Sequence, residues 1–144
     1  MRISELMHTP AVTCGPKDTV AAVARLMADR GVGCVVVVDP AGEVAGIVTD
    51  RDLALRVVGE GRSSDGAVEA VMTRDVATVS PHAPVETAAQ IMQKRGVRRL
   101  PVTEDDGRLH GLVALDDLLR QAGDAVGALT DTVRAQRGDR PDPR

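Results

Sequence analysis

Apolar residues along the first third of the chain follow a helical pattern and then a strand pattern. A helical face recurs at positions i, i+3, i+4 and i+7 and consists of Val20, Val23, Ala24 and Met27. The β-branched run Cys34–Val38 comes next and is typical of a strand covered on both faces. After a turn, a second strand over 44–48 and a helix opening near Asp50 follow. With a short strand over 12–14, the predicted order is strand, helix, strand, strand, helix.

Capping and turn residues indicate where these elements begin and end. Asp18 is a candidate N-cap for a helix beginning at Thr19. Gly31 is expected to end that helix in the left-handed conformation that glycine adopts readily. In the second half of the chain, Pro84 is predicted to be the first residue of the corresponding helix. Because Pro101 has no N–H group, it predicts an edge position or a bulge in its strand.

The second half of the chain repeats the first. Ile3–Leu55 aligns with Val68–Arg120 without a gap, and 15 of the aligned pairs are identical. Two copies of this length indicate two like supersecondary units that pack against each other rather than a solenoid. We therefore predict an α/β fold of two β-α-β-β-α repeats packed with quasi-twofold symmetry. The seam between such halves is a common place for a ligand cleft.

The predicted boundaries divide the chain into four parts. Repeat 1 covers 1–58, a polar linker covers 59–67, repeat 2 covers 68–123 and a C-terminal tail covers 124–144. The tail opens with a weak helical pattern formed by Val126, Leu129 and Val133. Its last residues, 138–144, are rich in Gly, Pro and charged side chains, so we expect them to be disordered.

The composition excludes several classes of function. The 144 residues include no Phe, Tyr or Trp, and the net charge is −3. Neither base stacking on aromatic rings nor a basic surface is therefore available for nucleic acid. No apolar stretch approaches the roughly 20 residues of a membrane helix, and the first residues lack the apolar core of a secretory signal. We expect a cytoplasmic protein that binds neither nucleic acid nor membrane.

Few residues suggest catalysis or metal binding. The histidines His8, His82 and His110 have no partner spacing, so we expect surface positions and no metal or base role. Cys14 and Cys34 lie on strands that are predicted to be close. Buried reduced thiols are the expected state, and a redox pair is the alternative. With no Ser/His/Asp arrangement and no paired-carboxylate cleft, we expect no enzyme activity, no cofactor and no metal.

Thr49 and Asp52 lie three residues apart where a strand passes into a helix. One interpretation is a capping box, in which their side chains satisfy free amides of the first helical turn. The other is a ligand site, because a helix N-terminus attracts phosphate and a nearby carboxylate can accept ribose hydroxyls. The two interpretations are compatible, since a carboxylate has more acceptor sites than one cap requires.

The doubled unit resembles a tandem pair of CBS domains, named for cystathionine β-synthase and often called a Bateman module. The matching features are the methionine pair Met7/Met72, the helix ending in Arg-Gly-Val, the strand Leu100-Pro101-Val102 and the segment Gly46-Ile47-Val48-Thr49-Asp50-Arg51-Asp52. The resemblance covers Ile3 to about Gly123. It implies a sensor that binds AMP, ADP, ATP or another adenosyl compound between its repeats.

The resemblance also implies which residues form the site. In this family one site combines the Thr-x-x-Asp motif of one repeat with the first and middle strands of the other. Thr49 would contact a phosphate and Asp52 a ribose, with Ile47 and Asp50 beside them. The residues implied from repeat 2 are Thr78, Val79, Val97, Arg98, Arg99 and Pro101. Guanidinium groups bind phosphate oxygens in a two-pronged fashion, although paired arginines beside a strand can also form a solvated edge.

The mirror-image site departs from this pattern. It keeps Asp117 and would include Thr13 and Cys34, but Ala114 replaces Thr49. Gly33 and Cys34 replace the two arginines and carry no charge. We therefore expect an asymmetric module with one competent site and a second that is weak, empty or suited to an uncharged adenosyl group.

The resulting functional hypothesis is a regulatory module that passes a nucleotide signal to an unidentified protein, with a homodimer as the expected assembly. The alternatives are an interaction or structural module with a vestigial site, and a sensor of S-adenosylmethionine or NAD. Fold alone does not decide between them.

Overall fold

The computed structural model describes residues 1–136, and these residues form the predicted α/β fold. Its strands are β1 (Thr13–Cys14), β2 (Cys34–Val38), β3 (Val44–Thr49), β4 (Arg99–Thr103) and β5 (Leu109–Ala114). Its helices are α1 (Val20–Arg30), α2 (Asp50–Asp52), α3 (Val85–Arg95) and α4 (Leu115–Gln136). The π-helical segment Leu53–Val58 continues α2, and short 3₁₀ turns lie at Ile3–Glu5 and Val68–Ala70.

Repeat 1 contains a three-stranded sheet in the order β1-β2-β3. β1 runs parallel to β2 and β3 runs antiparallel to it. The first four residues of β2 are buried, which confirms the prediction that this apolar run is covered on both faces. The order strand, helix, strand, strand, helix is found as the spacing predicted.

Repeat 2 has the same hairpin but a shorter first strand. β4 and β5 pair in the register of β2 and β3, with the same irregularity near the turn. The predicted first strand is reduced to one parallel bridge between Val79 and Val102. The two repeats therefore differ at the edge of the sheet where their first strands would lie.

Pro101 accounts for this difference. In repeat 1 the N–H of Val36 donates to the Val12 carbonyl at 3.0 Å, and Pro101 occupies the position equivalent to Val36. Because proline has no N–H, repeat 2 cannot make this hydrogen bond. Pro101 lies on an edge strand of a two-stranded sheet, the first of its two predicted settings. The irregularity lies after Val102, and repeat 1 shares it without a proline.

Two predicted helix starts require correction. Helix α1 is capped by Thr19, whose hydroxyl accepts an N–H of the first turn at 3.1 Å. Asp18 instead accepts an N–H of the preceding turn at 2.9 Å. Pro84 has extended backbone (ψ 152°) and precedes α3 rather than opening it. Gly31 does end α1 in the left-handed conformation (φ 64°), as predicted.

Helix α4 is longer than the sequence pattern indicated. It runs without a break from Leu115 to Gln136 and therefore passes through the predicted boundary at residue 123. Leu118 is buried against repeat 2, whereas residues 122–136 are exposed. The predicted disorder of 138–144 lies outside the described residues.

Each repeat inserts its first residues into the core of the other. Ile3 is fully buried among Leu100, Val102 and Val113 of repeat 2. In the same way Val68, Val71 and Met72 join the core of repeat 1. We call Ile3–His8 and Val68–Thr73 the leading segments of the repeats. Their exchange makes the two cores depend on each other.

Two glycines allow the leading segments to pair with the sheets. The N–H and C=O groups of Ile47 and Thr73 exchange hydrogen bonds at 3.0 and 2.9 Å. A Cβ on the adjacent Gly46 would lie 2.9 Å from the backbone carbonyl oxygen of Thr73. At the mirror-image contact, a Cβ on Gly111 would lie 2.7 Å from a backbone carbonyl oxygen. Glycine is required at both positions because the backbones approach closely.

The sheet register separates the two cysteines. Cys14 lies opposite Val37, three residues along β2 from Cys34. At a rise of roughly 3.3 Å per residue their Cα atoms are about 10 Å or more apart, which exceeds the roughly 7 Å limit for a disulfide. Both thiols are free and buried. The redox pair considered as an alternative is therefore wrong for this fold.

Candidate functional site

A cleft of about 450 Å³ lies between the start of α2 and the loop that joins α3 to β4. We call it the first cleft. Repeat 1 provides one wall and repeat 2 the other, as expected for a site on the seam. The lining residues are Ile47, Thr49, Asp50, Arg51, Asp52, Thr73, Gly96, Val97, Arg98 and Arg99.

Thr49 and Asp52 form a complete capping box at the repeat 1 wall. The N–H of Asp52 donates to the Thr49 hydroxyl at 3.2 Å, and the N–H of Thr49 donates to Oδ2 of Asp52 at 2.9 Å. The other carboxylate oxygen, Oδ1, has one cationic neighbour, the Arg56 guanidinium, at 3.7 Å. That distance exceeds a hydrogen bond. Asp52 therefore caps its helix and keeps acceptor capacity toward the cleft.

Arg56 joins the helix of repeat 1 to the leading segment of repeat 2. Its guanidinium donates to the carbonyl of Val71 at 2.8 Å and to the Thr73 hydroxyl at 3.4 Å. The same side chain lies beside Asp52. Thr73 is thereby held at the edge of the cleft with its hydroxyl directed by a charged donor.

Arg98 and Arg99 provide positive charge on the opposite wall. Both are exposed, and Arg98 has Asp116 at 4.0 Å in a surface pair. Surface pairs of this kind contribute little, so Arg98 can turn toward an anion in the cleft. The first cleft thus combines two guanidinium groups on one wall with the Asp50 and Asp52 carboxylates on the other.

The structure brings together seven of the predicted first-site residues, namely Ile47, Thr49, Asp50, Asp52, Val97, Arg98 and Arg99. The other three do not line the cleft. Thr78 is exposed elsewhere, whereas Val79 and Pro101 are buried in the repeat 2 core. Val79 is held in that core by a parallel bridge to Val102 of β4.

Sequence reasoning missed three lining residues, Arg51, Thr73 and Gly96. Thr73 follows Met72, which the sequence shows as the repeat of Met7. The sequence therefore identified this segment as repeated, but it did not show that the segment lines the site. Gly96 belongs to the repeated Arg-Gly-Val and has a left-handed backbone (φ 66°). This conformation brings the chain to the cleft without a side chain in the way.

A second cleft of about 330 Å³ lies at the mirror-image position. It is lined by His8, Pro10, Ala11, Val12, Gly31, Val32, Gly33, Cys34, Arg99, Leu112 and Ala114. Seven of these residues are the counterparts of first-cleft residues under the repeat alignment. Of the three residues predicted for this site, Cys34 lines it, whereas Asp117 and Thr13 do not.

Asp117 is engaged in hydrogen bonds. Its buried carboxylate accepts from the Ala114 N–H at 2.9 Å, from Arg120 at 2.6 Å and from His8 Nε2 at 3.0 Å. Burial raises the pKa of this carboxyl, but the bonds from Ala114, His8 and Arg120 outweigh it and hold the pKa below its usual range. His8 has the expected surface position, with 65% of its side chain exposed. Its contact with Asp117, 109 positions away, was not visible in the sequence because it depends on the exchange of leading segments.

The second cleft also has a positive charge that the sequence did not predict. Arg99 lines it as well as the first cleft. Burial raises the pKa of the Cys34 thiol to about 11, while the positive charge of Arg99 acts in the opposite direction. Gly33 and Cys34 implied a second cleft without positive charge. The structure corrects this, because Arg99 of repeat 2 lines the cleft.

Two further features bear on function. None of the helices within residues 1–136 has the length and apolar character needed to cross a membrane. Over the same residues, His, Cys, Asp and Glu side chains form no group suited to hold a metal ion.

Comparison with known proteins places the chain in a well-defined group. The family model described as "CBS domain" matches residues 3–59 and again 68–124. The CBS domain-containing protein YhcV of Bacillus subtilis is 37% identical over 116 residues, which cover 81% of each protein. A longer relative from Methanopyrus kandleri is 34% identical, and the chain spans 61% of its length.

Solved structures agree with this match. The CBS domain pair of protein MJ0100, in complex with 5′-methylthioadenosine and S-adenosyl-L-methionine, has a TM-score of 0.80 at 25% identity, covering 87% of this chain and 98% of that one. The CBS domain protein PAE2072 from Pyrobaculum aerophilum, complexed with AMP, has a TM-score of 0.76 at 29% identity, covering 82% and 90%.

Proposed function

The chain belongs to the CBS-domain family, and we propose that it is a regulatory module that binds an adenosine nucleotide in its first cleft. Binding, rather than catalysis, is the proposed activity. A change in nucleotide occupancy would alter how the repeats pack and so signal to a regulated protein. The related structures with AMP and with adenosyl compounds support this ligand class.

One observation carries the proposal. Asp52 has a carboxylate oxygen that its cap does not use, and it lies across the cleft from Arg98 and Arg99. A carboxylate suits the two ribose hydroxyls, and guanidinium groups suit the phosphate at the other end of the same nucleotide. The first cleft therefore has the two polar ends that a nucleoside monophosphate requires.

The charges also discriminate among adenosyl ligands. AMP presents its negative charge to Arg98 and Arg99, which favours it over neutral adenosine. S-adenosylmethionine carries a positively charged sulfonium. The Asp50 carboxylate would attract it, and the two arginines would repel it. We place AMP first for this reason, and S-adenosylmethionine and NAD are the competing ligands.

A thermal-shift comparison tests the proposal. The parent protein and Asp52→Ala are heated with AMP, adenosine, S-adenosylmethionine or NAD. A ligand at a hundredfold excess over its dissociation constant stabilises the fold by about 2.7 kcal/mol. We expect AMP to raise the Tm of the parent by more than that of the variant, in which only the second cleft remains intact. No shift with any of the four ligands would contradict the proposal and favour an interaction module.

We further propose that a second copy of the chain is a partner. Helix α4 exposes a stripe at the 3–4 spacing of a coiled coil, formed by Leu119, Val126, Leu129 and Val133. Asp124 and Asp131 project from the opposite face of the helix, so the stripe carries no like charges that would repel a copy of itself. A helix of about 15 exposed residues is marginal alone in water, which favours a packed partner.

A further inference from the structure

Arg99 occupies a special position relative to the two clefts. It lines the first cleft, the second cleft, and a groove of about 200 Å³ formed with Arg98, Ala114 and Asp116. The groove shares Arg98 with the first cleft and Ala114 with the second. Within the described residues it joins the two clefts across the seam.

The repeat symmetry explains why one residue reaches both sides. Arg99 and Cys34 are counterparts in the aligned repeats. Nevertheless both line the second cleft, and the charge of Arg99 acts on the Cys34 thiol. Counterparts that are close to each other must lie close to the quasi-twofold axis. A side chain near that axis is about equally far from the two symmetry-related sites.

Among the arginines and lysines of residues 1–136, no other side chain lines both clefts. Arg98 lines the first cleft and the groove but not the second cleft, where its counterpart is Gly33. The remaining titratable side chain with a basic group on the second cleft is His8, whose Nε2 is bonded to Asp117. Among residues 1–136, the second cleft therefore depends on Arg99 to neutralise a phosphate.

We propose that Arg99 is a phosphate ligand shared by the two clefts, so that only one cleft at a time can hold a phosphorylated ligand with full affinity. This inference rests on the proposed function. It adds that a phosphorylated ligand in one cleft lowers the affinity of the other cleft for a second phosphorylated ligand. A guanidinium carries one positive charge, so the Arg99 side chain that neutralises a phosphate in one cleft cannot neutralise a second phosphate in the other to the same extent. A phosphate in the first cleft leaves the second cleft open to uncharged adenosyl ligands and poor for a second nucleotide.

The expected coupling is measurable. Loss of one charged hydrogen bond weakens binding on the order of ten- to a hundredfold. With the first cleft disabled by Asp52→Ala, the second cleft should bind AMP at least tenfold more tightly than it does when AMP fills the first cleft of the parent. The affinity of the second cleft for adenosine should be the same in both cases, because adenosine has no phosphate for Arg99 to bind.

Calorimetric titration of AMP and adenosine tests this rule, with Arg99→Gln and Arg98→Gln as matched variants. We expect Arg99→Gln to weaken AMP in both clefts and Arg98→Gln to weaken it in the first cleft alone. Equal second-cleft affinities for AMP with the first cleft filled or disabled would overturn the proposal, and so would a second cleft that binds neither ligand.

Cys34 gives an independent readout. In the parent, AMP should draw the Arg99 charge away from the thiol and slow alkylation of Cys34 by iodoacetamide at mildly alkaline pH. Arg99→Gln should slow the alkylation of Cys34 in the absence of ligand, and AMP should then have no further effect on its rate. Cys14, the other buried thiol, is the internal control for general stabilisation by the ligand. If AMP binds and slows the alkylation of both thiols equally, the shared role of Arg99 is wrong while the proposed function stands. If AMP does not bind in any variant, both fail.

Discussion

Replacement of Asp52 by alanine removes the carboxylate that we place against the ribose. The variant loses two interactions that can be measured separately, the helix cap and the ligand contact. Oδ2 of Asp52 accepts the Thr49 N–H at 2.9 Å, and loss of this cap costs about 1 kcal/mol of stability. Oδ1 has its nearest cation at 3.7 Å and is the oxygen that we assign to the ligand.

The size of the binding effect follows from the two ribose hydroxyls. A hydrogen bond to a charged group contributes about 1.5–3 kcal/mol. Two such bonds at the lower limit give about 3 kcal/mol, which corresponds to roughly a hundredfold change in affinity. We therefore expect the first cleft of Asp52→Ala to bind adenosine about a hundredfold more weakly than the first cleft of the parent protein.

The assay pairs the substitution with a change in the ligand. Adenosine and 2′,3′-dideoxyadenosine are titrated into the parent and into Asp52→Ala by calorimetry. The first cleft of the parent should prefer adenosine by about a hundredfold, and that of the variant should bind both nucleosides alike, because the group that distinguishes them is gone. Neither nucleoside has a phosphate, so the arginines do not contribute to the difference.

Two controls separate binding from folding. Asp52→Asn keeps an oxygen for the cap and should unfold at nearly the parent temperature while losing most of the ribose preference. Asp117→Ala should leave the first cleft unchanged, since the Asp117 carboxylate is engaged by His8 and Arg120. If Asp52→Ala still prefers adenosine as strongly as the parent does, the ribose assignment is refuted.

Two other predictions concern stability and assembly. The pKa of Asp117 is lowered in the folded state, so its ionised form adds stability at neutral pH that is lost as the pH falls through the acid range below about 4. Asp117→Asn should therefore lower the unfolding free energy on the order of 1–2 kcal/mol at neutral pH and less in acid; denaturant titrations that show an equal loss at both pH values would contradict this. Leu129→Glu should convert a dimer to a monomer in light-scattering measurements, whereas Ala128→Glu, on the helix face opposite the stripe, should not; a parent that is monomeric at all concentrations would exclude the second copy as partner.

Local periodicity was sufficient to predict most of the fold. The helical spacing that ends at Gly31 and the apolar run of β2 depend on neighbouring residues, which a sequence displays directly. The duplication then gave the symmetry of the whole molecule. The first strand of repeat 2 was overestimated, because the absent N–H of Pro101 matters only when its partner strand is known.

The candidate site was predictable where it depends on short motifs and less so where it depends on the seam. Thr49 and Asp52 are linked by the geometry of one helical turn, so their spacing identified them. Thr73 and His8 reach the clefts through the exchange of leading segments. No local sequence pattern indicates into which repeat's core a leading segment packs. Arg99 reaches the second cleft because it lies near the symmetry axis, a property of the packed repeats alone.

The exchange of leading segments also determines what half of this chain would do alone. A chain that stopped in the linker would expose the β3 edge, and its own Ile3–His8 would have no second core to enter. Because Ile3–His8 resembles Val68–Thr73, two half-chains could complete each other by trading these segments, as domain-swapped dimers do. Such a dimer would have two identical clefts. Joining the halves in one polypeptide frees the clefts to diverge, and the contrast between Thr49 and Ala114, or between Arg98 and Gly33, cannot arise in a dimer of identical half-chains.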